Sequence, residues 1–244
     1  MPTSAGTSAQ WGSLPFDEAV QFFLKKLNLT SAHWDEVWGA EHTRSFTVAG
    51  ATDADLLQEL RDAVASGIND GTTLEEFRKS FEGIVDKYDW GPAAGTPEFA
   101  RRSAIIFQTN LSVAYSAGRW QQQTDPDVVS VFPFLRYLAS TSVTPRPEHM
   151  IWYNLVLPAS DPWWETHYPP NDWGCGCGAE SVDEEEAAEL TAQFKGTRFE
   201  VRREAPPVVM ENWTNPRTGE EIKHPRGIGP GWDYNPGQAA QEAA

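Results

Sequence analysis

Only two of the 244 residues are cysteine, Cys175 and Cys177, with one residue between them. A disulfide across so short a loop would be strained, so a framework of the secreted, disulfide-stapled kind is excluded. Bases are also scarce. Nineteen Lys+Arg stand against 35 Asp+Glu, a formal charge of −16. Such a chain repels phosphate, which argues against coating DNA or RNA. No apolar run approaches the roughly 18 residues of a membrane span. Met1 to Gly6 lack the basic and apolar regions of a secretory signal, so a cytoplasmic origin and no membrane role are expected.

The common catalytic signatures are missing too. There is no Gly-x-Ser-x-Gly elbow, no P-loop and no His-Glu-x-x-His. A cytidine-deaminase site needs His-x-Glu and a later Pro-Cys-x-x-Cys, whereas Glu148 here directly precedes His149 and the thiols are one residue apart. The expectation is binding without turnover, and no enzyme.

What is abundant is core material: 40% hydrophobic residues and 12% aromatic, including 11 Trp. The first half is patterned for helices. Phe16, Ala19, Val20, Phe23, Leu24 and Leu27 fall at helical spacing. Thr30 or Ser31 is placed to cap a short helix bearing Trp34, Val37 and Trp38, and residues 45–50 read as extended. Thr52 or Asp53 caps a helix whose stripe is Leu57, Leu60, Val64 and Ile68. Thr73 and Glu76 make a capping box before Leu74, Phe77, Phe81, Ile84, Val85 and Tyr88. Thr96-Pro97 opens a long helix to about Gln123, with proline where its missing N–H costs nothing. Its Arg101, Arg102 and Arg119 are expected to form ion pairs.

After Asp125-Pro126 the texture changes. Residues 128–139 and 151–157 read as strands, 158–178 as loop and 199–203 as a short strand. Ser181 and Glu184 read as a capping box for a helix that stops at Gly196. From Ala205 the pattern fades into Pro, Gly and Asn, read as an extended arm with Trp213, Trp232 and Tyr234 as anchors. The fold class expected is α+β: a helical N-terminal half with a long central helix, and a small, loop-rich C-terminal unit containing β-strands.

One stretch concentrates chemistry. Arg146-Pro147-Glu148-His149 precedes Asp161-Pro162-Trp163-Trp164-Glu165-Thr166-His167, then Trp173-Gly174-Cys175-Gly176-Cys177. Thiolate sulfur and imidazole nitrogen are the usual ligands of structural zinc, and a metal would order a loop poor in aliphatic residues. His149, Cys175 and Cys177 are the expected ligands, with His167 first and Asp161 second as the fourth. The opposing reading is that these groups are simply buried and hydrogen-bonded. Trp152, Trp163, Trp164 and Trp173 either plug a small core or anchor a partner protein; Arg146, Trp163, Trp164 and Trp173 are the binding candidates.

The same residues carry a family likeness. Arg146-Pro147-Glu148-His149, Leu155-Val156-Leu157-Pro158, Asp161-Pro162-Trp163-Trp164, Tyr168-Pro169-Pro170-Asn171 and Trp173-Gly174-Cys175-Gly176-Cys177 resemble the signature of the phage Mu F-like (SPP1-type) head morphogenesis, or minor capsid, protein family. Gln108-Thr109-Asn110, Tyr115, Gly118 and Arg119 upstream fit it, as does the tail from Gly229 to Gly237. Leu14 to Trp90 resembles the helical region preceding the domain in several members. The chain departs from the family at Gly176, where Arg is usual, at Tyr153-Asn154, where Asp-Gly is usual, and at Thr141–Thr144, where an acid often stands.

The resemblance implies a leader over 1–12, a helical region over 13–92, the Mu F-like domain over 93–204 and the arm over 205–244. It implies a minor head protein of a tailed phage or prophage, in the virion or the host cytoplasm during assembly. Its partners would be the portal protein, the major capsid protein or both, with a role in head morphogenesis and DNA ejection. The alternatives are a metal-dependent hydrolase acting in packaging or entry, and the carrier domain of a phage-derived toxin system. The Pro- and Gly-rich stretch after Gly196 is expected to leave no room for a toxin effector.

Overall fold

The structure, a computed structural model, describes residues 16–140 and 144–242. The leader expected over 1–12 and the family departure at Thr141–Val143 lie outside them. The fold class is α+β, with a long central helix.

The N-terminal half is helical because its caps and stripes agree. Helix α1 (Asp17–Leu24) buries Ala19, Phe22 and Phe23. Strands β1 (Leu27–Asn28) and β2 (Ser45–Phe46) pair in parallel, with the short helix α2 (Glu41–Arg44) between them. The helix expected from Thr30 or Ser31 does not form. Ser31 Oγ instead lies 2.7 Å from Thr47 Oγ1, Ser31 bridges Ala49, and Glu36 accepts from the Ala32 N–H at 2.7 Å. These local bonds occupy the groups a helix start would need.

Helix α3 (Ala54–Asn69) begins where Asp53 accepts from the Leu56 N–H at 2.8 Å. Helix α4 (Leu74–Tyr88) begins at the complete Thr73–Glu76 capping box. Helix α5 (Pro97–Gln123) is capped by Thr96, has proline in its first turn and runs 27 residues. Against it pack α1, α3 and α4. Phe107 meets Phe77 with ring centroids 4.8 Å apart, and Phe99 meets Phe81 at 5.2 Å. Glycine permits the closest approach: a Cβ on Gly118 would lie 2.7 Å from the backbone nitrogen of Ala19. Arg102 and Arg119 sit over the Trp90 and Phe16 rings. Among the described residues neither they nor Arg101 forms an ion pair, contrary to the sequence expectation.

The second half is more helical at its start than the hydrophobic runs suggest. Residues 128–139 split into helix α6 (Pro126–Val131) and strand β3 (Phe134–Leu138). Asp125 caps the helix, Pro126 fits its first turn, and Pro133 cannot continue it. Residues 151–157 likewise split. Helix α7 (Pro147–Ile151) uses Pro147 in its first turn, and Asn154 turns at φ 61°. Strand β4 (Val156–Pro158) follows, then a short helix α8 (Trp164–His167) within the expected loop, and strand β5 (Gly178–Val182). The antiparallel sheet has the order β4-β3-β5, pairing Leu135 with Leu157 and Ser181.

Helix α9 (Glu184–Phe194) starts at a capping box made by Asp183 and Glu186, two residues beyond the expected Ser181 and Glu184. Ser181 is held in β5 and so cannot serve. The expected strand at 199–203 is reduced to one bridge, Leu155 to Arg202.

Residues 205–242 do not form the extended arm expected over 205–244. Strands β6 (Met210–Thr214) and β7 (Glu221–Pro225) form a hairpin, and helix α10 (Pro236–Glu242) lies against α5. The hairpin is clasped to the N-terminal loop. Trp213 meets Trp34 and Trp38 at 6.1 and 5.9 Å, and Arg217 Nε donates to Asp35 Oδ1 at 2.6 Å. Gly237 comes so close to Trp120 that an added Cβ would lie 2.3 Å from Trp120 Cβ. One buried core therefore runs from Phe23 through Leu135 and Trp164 to Trp232. Trp232→Ala should cost about 3–5 kcal/mol of stability, the toll of emptying a packed aromatic site; an arm residue would cost almost nothing. Urea unfolding followed by circular dichroism measures the difference.

Candidate functional site

The chemistry-bearing residues lie where α7 faces the turn that enters β5. Pro147 sets the start of α7 and leaves His149 one turn in, 1% exposed. The facing turn is fixed by Cys175 N–H donating to Asp172 O at 3.0 Å and by Gly174 at φ 65°, a conformation glycine adopts at no steric cost. Arg146 straps this turn to α7. Its Nη2 donates to Trp173 O at 2.8 Å and lies 3.0 Å from Asp172 Oδ2.

His149 Nδ1 then lies 3.6 Å from Cys175 Sγ and 3.5 Å from Cys177 Sγ. The other ring nitrogen, Nε2, is 2.7 Å from Gly227 O. A carbonyl only accepts, so Nε2 carries the proton and Nδ1 presents its lone pair to the two sulfurs. Gly227 was not singled out from the sequence; a backbone carbonyl contributed from across the fold leaves no residue-type signal.

The two thiols behave as one acid. Cys177 donates to Cys175, and this bond holds the Cys175 thiol well below the usual thiol range against the opposing effect of burial; the N–H groups of Asn171 and Cys177 add to it. Cys177 is pushed up by the same bond, by burial and by the neighbouring sulfur's charge. The pair thus loses its first proton easily and its second with difficulty.

Around the cluster is an aromatic shell. Trp152 stacks on His149 at 5.2 Å and meets the edge of His167 at 5.1 Å. His167 stacks on Trp163 at 4.3 Å, with Nδ1 2.7 Å from Thr166 Oγ1. Within the described residues the cluster consists of His149, Cys175 and Cys177. The two fourth ligands expected from the sequence fall outside it: His167 belongs to the stack, and Asp161 accepts from the Trp163 N–H at 2.9 Å. Burial of His167 pushes its pKa down from 6.5 to about 4. Trp163 and Trp164 are 4% and 0% exposed and fill the core rather than present a docking face. Trp173 is the exception among the tryptophan candidates, 39% exposed and edge-on to Trp232, and Arg146 is also partly exposed.

Trp173 also lies on the rim of a second feature, a cleft of about 570 Å³. Trp34, Trp38 and Trp232 share the lining with Lys26, His42, Arg101 and Arg102, and among the described residues no Asp or Glu lines it. Lys26 is 3% exposed with its ammonium 5.0 Å from the Phe22 ring. Burial, reinforced by Arg61, pulls it down to about 7. Burial also pulls His42 down to about 4. A signal for Lys26 was present in the sequence, since it falls on the buried stripe with Phe22 and Phe23.

With fold and cluster in hand, comparison with known proteins gives the chain its family. A family model described as Phage Mu protein F like protein matches residues 58–180, half of the 244-residue chain, and the chain belongs to that family. The F protein of Escherichia phage Mu, whose given name refers to capsid assembly, is 32% identical over 267 aligned positions, covering 98% of this chain and 58% of that protein. The Mu-like prophage FluMu F protein of Haemophilus influenzae is 33% identical over 224 positions, covering 85% of this chain and 53% of that protein. The chain spans little more than half the length of these relatives. No solved structure matches.

Two outcomes follow from the site. Buried neutral His42 and His167 refuse protons that the unfolded chain accepts, so their contribution to stability is full above about pH 6.5 and is lost as pH drops from 6.5 towards 4. His167→Gln should flatten part of that fall in melting temperature against pH. Trp164→Ala should cost about 3–5 kcal/mol, while Trp173→Ala should stay within about 1 kcal/mol; urea unfolding of the two variants separates core from surface.

Proposed function

We propose that the chain acts as a minor head protein of a tailed phage or prophage, a structural adaptor at the portal or inner shell that works by binding rather than turnover. Family membership supports head morphogenesis, and the name of the phage Mu relative refers to capsid assembly. The observation that carries the adaptor reading is the cleft. In a chain with 35 acids against 19 bases, it gathers Arg101 and Arg102, with buried Lys26 beneath, among tryptophans and takes in no acid among the described residues. Exposed Trp34 and Trp173, at 40% and 39%, stand at its edge. Tryptophan and arginine are the side chains that most often carry interface energy. The occupant this chemistry fits is an acidic, apolar segment of a head protein, the portal first. The remaining acidic surface would keep the protein from sticking to packaged DNA, and no described helix is long and apolar enough to cross a membrane.

The double variant Trp34→Ala, Trp173→Ala should reduce co-sedimentation with portal-bearing proheads roughly tenfold, the equivalent of about 1.4 kcal/mol, while circular dichroism shows the variant still folded. Undiminished co-sedimentation would remove the cleft from the reading. Normal heads and full infectivity in a strain lacking the gene would remove the adaptor role itself.

A further inference from the structure

We propose that His149 Nδ1 and the thiolates of Cys175 and Cys177 bind one zinc ion that cross-links the C-terminal half. The first support is distance. Zinc–sulfur and zinc–nitrogen bonds of about 2.3 and 2.0–2.1 Å at a tetrahedral angle put the nitrogen about 3.6 Å from each sulfur. The structure has 3.6 and 3.5 Å, and all three donor atoms lie within 4.8 Å of one another.

The second support is the tautomer. Nε2 donates to Gly227 O, which leaves Nδ1 free to ligate, the arrangement that backbone carbonyls impose on metal-binding histidines. Nδ1 has one lone pair in the ring plane, and two sulfurs stand almost equally far from it. One thiol–imidazole hydrogen bond would favour a single sulfur; a shared ion accounts for both.

The third support is the donor set. One imidazole and two thiolates suit zinc and exclude the oxygen-seeking calcium and magnesium. Both sulfurs bind as thiolates: each forms a sulfur–metal bond, and any proton the pair still holds is released to solvent. The remaining coordination position borders a cavity of about 410 Å³ lined by Ser140, Thr144, Arg146 and Trp173, with His149 and Cys175 on its wall. There a water, or a donor from a docked partner, completes the shell. The ion ties α7 to the turn before β5, and through Gly227 to the turn after β7. This inference does not rest on the head-assembly role and stands or falls separately from it.

The test uses the full chain. Elemental analysis and native mass spectrometry of protein purified without chelator should find about one zinc per chain, and chelation should lower the melting temperature. Cobalt(II) added to the stripped chain should give a thiolate charge-transfer band that saturates at one ion per chain and disappears on adding zinc. Cys177→Ser and His149→Gln should lose the band, and His167→Gln should keep it. Circular dichroism of every variant separates lost binding from lost folding. A stripped wild-type chain that unfolds and refolds on zinc addition supports the proposal. A folded, metal-free wild type that gives no cobalt band overturns it, as does a band that survives in folded Cys177→Ser and His149→Gln and is lost in His167→Gln.

Discussion

The back half of this protein depends on a single imidazole ring held at both ends. One nitrogen of His149 is bound to the carbonyl of Gly227, and the other faces the sulfurs of Cys175 and Cys177. Three segments far apart in the chain meet there: a five-residue helix, a tight turn and the exit of a hairpin. None of them could hold its shape alone. Helix α7 is too short to be stable in isolation, and a two-stranded hairpin is marginal in water. The order comes from tertiary contact, and the ring is where the contacts converge.

The aromatic shell completes this arrangement. A sheet of only three short strands offers little aliphatic surface, so tryptophans supply the bulk. Trp163 meets Trp152 and Trp164, and Tyr137 meets Trp152 and Trp163, all edge to face, the geometry their ring quadrupoles favour. Large rings fill volume with few residues, which suits a segment dense in proline and turns. The cost falls on polar atoms. Trp163 Nε1 and Asn171 Nδ2 are buried without a hydrogen-bond partner among the described residues, each a penalty of about 1–3 kcal/mol that the surrounding packing must offset.

How legible this was in the sequence depends on how local the cause is. The starts of α3, α4 and α5 were readable because Asp53, Thr73 with Glu76, and Thr96-Pro97 act within one turn. The long helix and the α+β class followed from them. The strands over 128–139 and 151–157 were overextended because apolar runs cannot distinguish strand from buried helix; the punctuation that decides it, Asp125-Pro126 and Pro147, is local and was available. Asp183 rather than Ser181 caps α9 because β5 claims Ser181, a tertiary fact. The tail was misjudged for the same reason. Gly237 is there to admit Trp120, and Trp213 to meet Trp34 and Trp38, partners invisible along the chain. At the cluster, residue type was enough to single out His149, Cys175 and Cys177, but not to tell a histidine facing sulfur from His167, stacked on Trp163.

The cluster and the cleft are mechanically joined. Trp173 stands two residues before Cys175, on the same turn, and the Arg146 strap from α7 holds its carbonyl. Its ring meets Trp232, and both line the cleft. Whatever fixes the two sulfurs on His149 therefore also fixes one wall of the cleft. The opposite wall, Trp34 and Trp38, is held by Trp213 and by the Asp35–Arg217 pair. A surface assembled from the N-terminal loop, the cysteine turn and the tail exists only when the entire chain is folded.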